Sequence, residues 1–348
     1  MTVPWLRIIG ASLAVAGLAA LLLRRRSLLG RGEALALLAL SALLAVALAP
    51  TLVDGLSRMT GFTGELARIT SLLSFVVLAL FLAVLVLADR LSQLRHDFNA
   101  QVAEALVDRA LPGLPDSMRG PVELLLVMPA YNEAINLRAL LPGRPPELLG
   151  RTAHLLVVDD GSTDDTAAVV TAHGGWAIRM PRNRGGGFAL KVGFAAAQRL
   201  GASHVITLDA DGQHRFTDLP VVLAPLVAGT ADLVVGSRRL GAAIGGSRLR
   251  NLGVRLFSGL LTFLTGKPIT DCASGLRGLA LPRLHALRLY QERHHTAELI
   301  LEAARRGLTI VEVPITIGPR HEGESKKGSS AAYALRFTFT ILSAWWRR

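Results

Sequence analysis

The sequence predicts an α/β domain preceded by three transmembrane helices. Two observations carry that expectation. Three long apolar runs, about 3–23, 34–53 and 69–88, fill the beginning of a 348-residue chain. From Val122 onward, short apolar runs alternate with helical segments, the pattern of a mainly parallel sheet covered by helices.

The second and third apolar runs contain no charged residue, and the first contains only Arg7. About 20 apolar residues cross the hydrocarbon core of a bilayer, so each run is long enough. A hydrophobic fraction of 51% and a mean hydropathy of +0.42 are too apolar for an ordinary soluble chain. A cleaved leader does not fit, because the arginines follow the first run instead of preceding it. Arg24, Arg25, Arg26 and Arg31 crowd the first loop against Glu33, whereas the loop 51–68 balances Asp54 and Glu65 with Arg58 and Arg68. By the positive-inside rule the first loop is cytoplasmic. The expectation is an integral protein of the plasma membrane, amino terminus outside, with everything after Ala88 facing the cytoplasm.

The net charge of +12 does not signal nucleic acid. The basic residues do not interleave with stacking aromatics, and no recognition motif is present. Cationic side chains near anionic headgroups are the simpler account. A single cysteine, Cys272, excludes an intramolecular disulfide and a cysteine-based metal cage.

After the third run, Leu91, Leu94, Phe98, Val102 and Leu106 recur at helical spacing. This amphipathic continuation either lies on the membrane or pairs with itself in a dimer. Pro112, Gly113, Pro115, Gly120 and Pro121 then mark a linker, so the expected division is 1–88, 89–120, 121–318 and 319–348. Strands are expected near 122–128, 153–158, 176–180, 204–208 and 232–236, and helices over 133–141, 164–173, 187–200 and 216–228. Residues 331–346, with Tyr333, Phe337, Phe339, Trp345 and Trp346, read as an interfacial helix at the membrane surface.

Functional groups in such sheets gather at the carboxyl ends of strands. Asp209 and Asp211 follow the apolar run 205–208, and on a strand positions i and i+2 face the same way. Hard oxygen ligands of this kind suit Mg²⁺ or Mn²⁺ held against a diphosphate. The first strand ends in Pro129-Ala130-Tyr131-Asn132-Glu133, and the second in Asp159-Asp160-Gly161-Ser162. Asp159 and Asp160 serve either a ligand or merely the turn and helix cap. A glycine cluster, Gly185-Gly186-Gly187, opens the helix carrying Lys191, where backbone amides are able to approach a phosphate.

In order and spacing these motifs resemble glycosyltransferase family 2 over about 121–318. That resemblance implies the GT-A fold, a nucleotide-diphosphosugar-binding α/β domain. It places Pro129, Ala130, Glu133 and Asp159 around the nucleoside with Asp160 nearby. It also sets Asp209, Asp211 and Gln213 on the metal and the donor diphosphate. The second half, from Gly236-Ser237-Arg238 through Asp271-Cys272-Ala273-Ser274-Gly275 to Arg320 and Lys326, resembles the polyprenyl-phosphate hexosyltransferases. By that likeness Arg238 and Arg250 hold the lipid phosphate. Arg320 and Lys326, on a loop with Gly323 and Gly328 as pivots, either fold over the diphosphate once the donor binds or form a solvated basic loop.

The chain departs from that pattern at Gly186, where relatives often carry a lysine, and at Val254, where they often carry a serine. Arg184 or Lys191 would supply the missing contact at the first. The Gln-X-X-Arg-Trp sequence of long-polymer synthases is absent, which favours a single transfer. The expected function is therefore membrane-bound, inverting transfer of one hexose from a GDP-mannose or UDP-glucose type donor to a polyprenyl phosphate. The alternatives are another lipid or glycan acceptor on the same fold, or a non-catalytic nucleotide-sugar-binding membrane subunit.

Overall fold

The computed structural model describes residues 65–243, 248–284, 287, 289–290, 295–319, 337–338, 340–341 and 344–345. The first two apolar runs lie outside these residues. The third falls within helix α1, Glu65–Ala110, although many of its side chains over 69–88 also lie outside them. Among the described residues no helix is long and apolar enough to cross a membrane. The chain divides into two compact units, Met1–Arg95 with Arg348, and His96–Arg347. The division falls inside α1, so the last part of the expected amphipathic segment belongs with the globular unit.

That unit contains strands β1 (Leu124–Ala130), β2 (Glu147–Leu148), β3 (Arg151–Asp159), β4 (Trp176–Arg179), β5 (His204–Thr207), β6 (Leu233–Ala243), β7 (Arg277–Ala280) and β8 (Ile310–Ile317). Helices α2 (Ala134–Leu140), α3 (Thr166–Ala172), α4 (Gly186–Arg199), α5 (Leu219–Val227), α6 (Arg248–Thr265), α7 (Leu281–Leu284) and α8 (His295–Arg305) connect them. The sheet order is β2-β3-β1-β5-β7-β6-β8, with β4 also paired to β3.

Strand side chains alternate between the two faces of the sheet, and each face has its own core. Leu125, Val127, Leu156 and Val158 pack with α4, α8 and the end of α1. Leu124, Leu126, Met128, Leu155 and Val157 pack with α2, α3 and α5. Burial on both faces explains why these strands read as unbroken apolar runs.

Two expectations change. The sheet is mixed: β1–β3, β1–β5, β3–β4 and β6–β8 are parallel, but β7 runs antiparallel to both β5 and β6. A four-residue strand, Arg-Gly-Leu-Ala, carries no periodic signal, so β7 was not foreseeable from pattern. The C-terminal segment also does more than rest on a surface. Phe337, Ile341 and Ala344 are buried in the core, the Phe337 ring packs tilted at 55° against Phe257 of α6, and Arg305 donates to the Trp345 carbonyl.

Candidate active site

Hydrogen-bond register brings the motifs to one edge of the sheet. Ala130 at the end of β1 lies beside Asp159 at the end of β3. Thr207 at the end of β5 lies between Val127 and Arg277, and Val235 of β6 pairs with Arg277. Ala130 and Asp159 thus end their strands, Asp209 and Gly275 lie just outside β5 and β7, and Arg238 sits within β6 just past its pairing with β7. Motifs far apart in sequence become neighbours because parallel strands all end on the same side.

Asp209 and Asp211 are not on the strand. β5 stops at Thr207 and the pair sits in the turn beyond it. The period-two argument for their shared direction therefore does not apply; the turn sets it instead. Asp211 Oδ1 accepts from the Gln213 amide at 3.1 Å, and Gly212 takes φ of +74°, a value glycine adopts without strain. Both carboxylates are half-buried. A Cβ on Gly275 would lie 2.7 Å from Asp209 Oδ1 and 2.8 Å from Oδ2. The carboxylate of Asp209 therefore rests against bare backbone, and Thr207 fixes the same segment by donating to the Gly275 carbonyl at 2.9 Å.

Gln213 donates through Nε2 to the Gly318 carbonyl at 3.2 Å, while the Gly318 amide donates to the Gln213 carbonyl at 2.9 Å. The next residue, His214, forms a bridge with Ile317 and is buried, which gives it a structural place. The acidic turn is thereby fastened to the end of β8, where the segment carrying Arg320 and Lys326 begins. Those two residues lie outside the described ones.

The turns after β1 and β3 are knitted together. Asn132, at φ of +52°, donates from its amide to Ser162 Oγ and accepts from the Thr163 amide, each at 2.8 Å. Asp164 accepts from the amides of Ala134 and Thr166, both at 3.0 Å, joining the starts of α2 and α3. Burial opposes its charge, but the Thr166 hydroxyl and these amides outweigh that and hold its pKa below the ordinary value. Glu133 is buried and accepts from Asn136 at 2.5 Å. Asp159 is 1% exposed; its Oδ1 accepts from the Ser162 amide, and its Oδ2 has no hydrogen bond and lies 3.6 Å from Arg179 Nε. A buried acceptor of this kind calls for a partner, which fits the nucleoside-side position expected for Asp159 beside Pro129 and Ala130.

Asp160 and Arg184 have partners within the chain. Asp160 accepts from the amides of Arg184 and Gly185, each at 2.7 Å, so both of its oxygens clamp the glycine turn. Burial nevertheless raises its pKa, with those two amides working the other way. The same bonds engage the Gly185 amide of the cluster expected to approach a phosphate, and Gly187, in the first turn of α4, is buried. Arg184, the expected substitute for the missing lysine, donates to Asn99 at 2.6 Å and lies 3.6 Å over the Phe188 ring.

Arg238 and Asp271 form a two-point ion pair, Nε–Oδ2 at 2.6 Å and Nη2–Oδ1 at 3.2 Å, with side chains 9% and 0% exposed. The pair orients the guanidinium and leaves Nη1 as its remaining donor edge. Arg250 lies on α6, where its side chain is outside the described residues. Glu312 on β8 accepts from the amides of Thr270 and Asp271 at 2.8 and 3.1 Å, holding that turn in place. Arg277 is fully buried and donates to the carbonyls of Ser274, Cys272 and Thr296. Burial lowers its pKa to about 10, partly offset by Cys272, Asp271, Glu312 and Asp209. Pattern reasoning assigned no role to Gly275, Asp271 or Glu312. The only signal was their membership in short motifs without periodicity.

Residues 125–280 match the model of glycosyl transferase family 2. An uncharacterized glycosyltransferase of Mycobacterium tuberculosis is 35% identical over 63% of this chain and 95% of its own length. A polyprenol monophosphomannose synthase of Mycolicibacterium smegmatis is 32% identical over 62% of this chain and 85% of its own. A crystal structure of glucosyl-3-phosphoglycerate synthase from Mycobacterium tuberculosis, with Mn²⁺ and UDP-glucose, superposes with a TM-score of 0.52. It is 23% identical and covers 66% of this chain and 81% of that one, a likeness of fold. The chain belongs to glycosyl transferase family 2 and is a glycosyltransferase with a GT-A-like fold.

Proposed function

We propose that the protein is a membrane-bound inverting enzyme that moves one hexose from a nucleotide-diphosphate sugar, of GDP-mannose or UDP-glucose type, to a polyprenyl phosphate at the cytoplasmic face of the plasma membrane. The observation that carries this is the convergence of Asp209, Asp211, Asp159 and Arg238 on one sheet edge, with the acidic turn fastened at Gly318 to the start of the basic 319–328 segment. The relatedness to the polyprenol monophosphomannose synthase supports the acceptor class. The three uncharged or nearly uncharged runs support the membrane anchor.

The donor set fits a divalent cation. Asp209 and Asp211 offer hard oxygens, Gln213 offers its amide oxygen, and no group of three or more acidic, histidine or cysteine side chains closes the site among the described residues. Magnesium-type sites use one or two carboxylates and leave the remaining positions to water and substrate phosphate. When bound, Mg²⁺ or Mn²⁺ would neutralise charge on the departing diphosphate.

The chain's own residues do the rest by positioning. Asp159 takes the nucleoside side, and Arg250 with the free edge of Arg238 takes the lipid phosphate. Arg320 and Lys326 close on the diphosphate. A lipid phosphate is already anionic at neutral pH, so no strong general base is required. Its oxygen forms a bond to the anomeric carbon as the bond from that carbon to the diphosphate oxygen breaks. Nucleoside diphosphate leaves, and the configuration inverts.

The test is transfer of labelled sugar from GDP-mannose and from UDP-glucose to undecaprenyl phosphate by the full chain in detergent, with Mg²⁺ or Mn²⁺. Asp211→Ala should abolish the lipid product, and Arg250→Ala should lower it at least tenfold, the loss of a charge-assisted contact worth about 1.5–3 kcal/mol. Arg238→Ala is the weaker variant, because it also leaves Asp271 buried without its partner. No lipid product from either donor, with nucleotide binding intact, would move the assignment to another acceptor or to a binding subunit.

A further inference from the structure

Helix α1 is 46 residues long, about 69 Å at 1.5 Å per residue. Val77, Leu80, Val84, Leu87, Leu91 and Leu94 lie along it, each 59–69% exposed. They alternate in steps of three and four, a repeat of 3.5 residues. Leu73 and Phe98, 59% and 62% exposed, continue the register at either end. The stripe does not stop where the uncharged run stops. Beyond Ala88 the helix becomes polar, yet Leu91, Leu94 and Phe98 keep the same spacing, the last two about 9 and 15 Å past Ala88. On the opposite side Gln93 donates to Asp89 at 2.9 Å, so the polar face is knitted to itself and the apolar face is left bare.

We propose that this stripe is the seam of a parallel two-stranded coiled coil made with a second copy of this chain. Lipid imposes no register on the helix it surrounds, whereas a mate imposes a strict 3.5-residue repeat and a left-handed supercoil. If the uncharged run lies in a bilayer, the seam still emerges from it with large apolar side chains in water. If it does not, the bare surface is larger still. The side chains specify the order of assembly. Val77, Val84, Leu91 and Phe98 fall at the first apolar position of the heptad and Leu80, Leu87 and Leu94 at the second; over 77–87 this pairs β-branched with Leu, the combination that favours two parallel strands. An antiparallel mate would lay the polar turns 89–98 against the uncharged run 69–88. In the parallel pair Arg90, at the position before one seam residue, faces Arg95 of the other copy. That like-charge contact weakens the dimer and gives the proposal a sign to test.

The experiment uses the full chain in detergent and in liposomes, with copper–phenanthroline as the oxidant. The native Cys272 is buried, and burial pushes its thiol up to about 11, so it stays silent. Leu94→Cys should give a covalent dimer, and Ala100→Cys, exposed on the face away from the seam, should not. Arg95→Glu should tighten dimerisation by roughly 3- to 5-fold at low ionic strength, from two new pairs of about 0.3–0.5 kcal/mol each, and the gain should vanish in high salt. Equal cross-linking at positions 94 and 100 would overturn the proposal. So would a wild-type chain that stays monomeric by light scattering at every concentration, which would assign the stripe to lipid or to the chain's own earlier apolar runs.

Discussion

Gly275 has no side chain in the space that the Asp209 carboxylate occupies. Gly275→Ala would push a methyl group to within 2.8 Å of that carboxylate, and the carboxylate would have to swing away. A displacement of about an ångström at a reacting group costs on the order of 100-fold in rate. The expected outcome is a loss of that size in kcat/KM and a higher metal concentration for half-activity, with the melting temperature little changed. Steady-state transfer measured across a Mn²⁺ titration checks it. At this scale the sequence singles out Asp209 and Asp211, because they follow an apolar run at a motif-bearing turn. It does not show that Asp160 spends both oxygens on Arg184 and Gly185, since an aspartate clamping a turn and one awaiting a ligand look the same in a string of letters.

Elements depend on close approaches as much as on apolar patterns. Gly193 lies in the middle of α4, where a Cβ would come 2.4 Å from Val127 Cγ1 on β1. Gly193→Ala therefore trades a better intrinsic helix propensity for overpacking against the central strand, and overpacking wins by about 1–3 kcal/mol. A urea titration of the detergent-solubilised protein should show a lower midpoint with unchanged slope. Gly241 has a similar role on β6, where a Cβ would come 2.2 Å from the Ile315 carbonyl oxygen beside the register shift between Ser237 and Ala242. Strands β1, β3 and β5 were legible because both faces are buried and their apolar runs are continuous; β4, with Trp176 and Ile178 buried and Arg179 exposed, shows alternation instead. β7 and the bulge of β6 were not, because pairing partners distant in sequence create them.

Across the whole molecule, one buried histidine, His154, and one half-buried one, His204, tie stability to pH. Burial, assisted by the charge of Arg144, lowers the pKa of His154; burial, assisted by Arg151, lowers that of His204. A histidine with a depressed folded pKa stabilises the fold above its unfolded value near 6.5, and that contribution is lost as pH falls through the folded value. The melting temperature should therefore decline from pH 7 toward pH 5, and replacing both histidines with glutamine should flatten the slope. Thermal scans across that range, at constant ionic strength, measure it.

The sequence by itself determined the α/β class, the family resemblance, the Asp209–Asp211 motif and the amphipathic spacing of Leu91, Leu94 and Phe98 after the apolar run. Each is written in contiguous or periodic residues, which local chemistry is enough to read. Tertiary structure alone decided that β7 runs antiparallel, that Asp271 holds Arg238, that Gly275 makes room for Asp209 and that Gln213 fastens the acidic turn to Gly318. Those facts depend on which strand ends meet at one edge of the sheet. Chain crossovers set that meeting, and no spacing along the sequence records it.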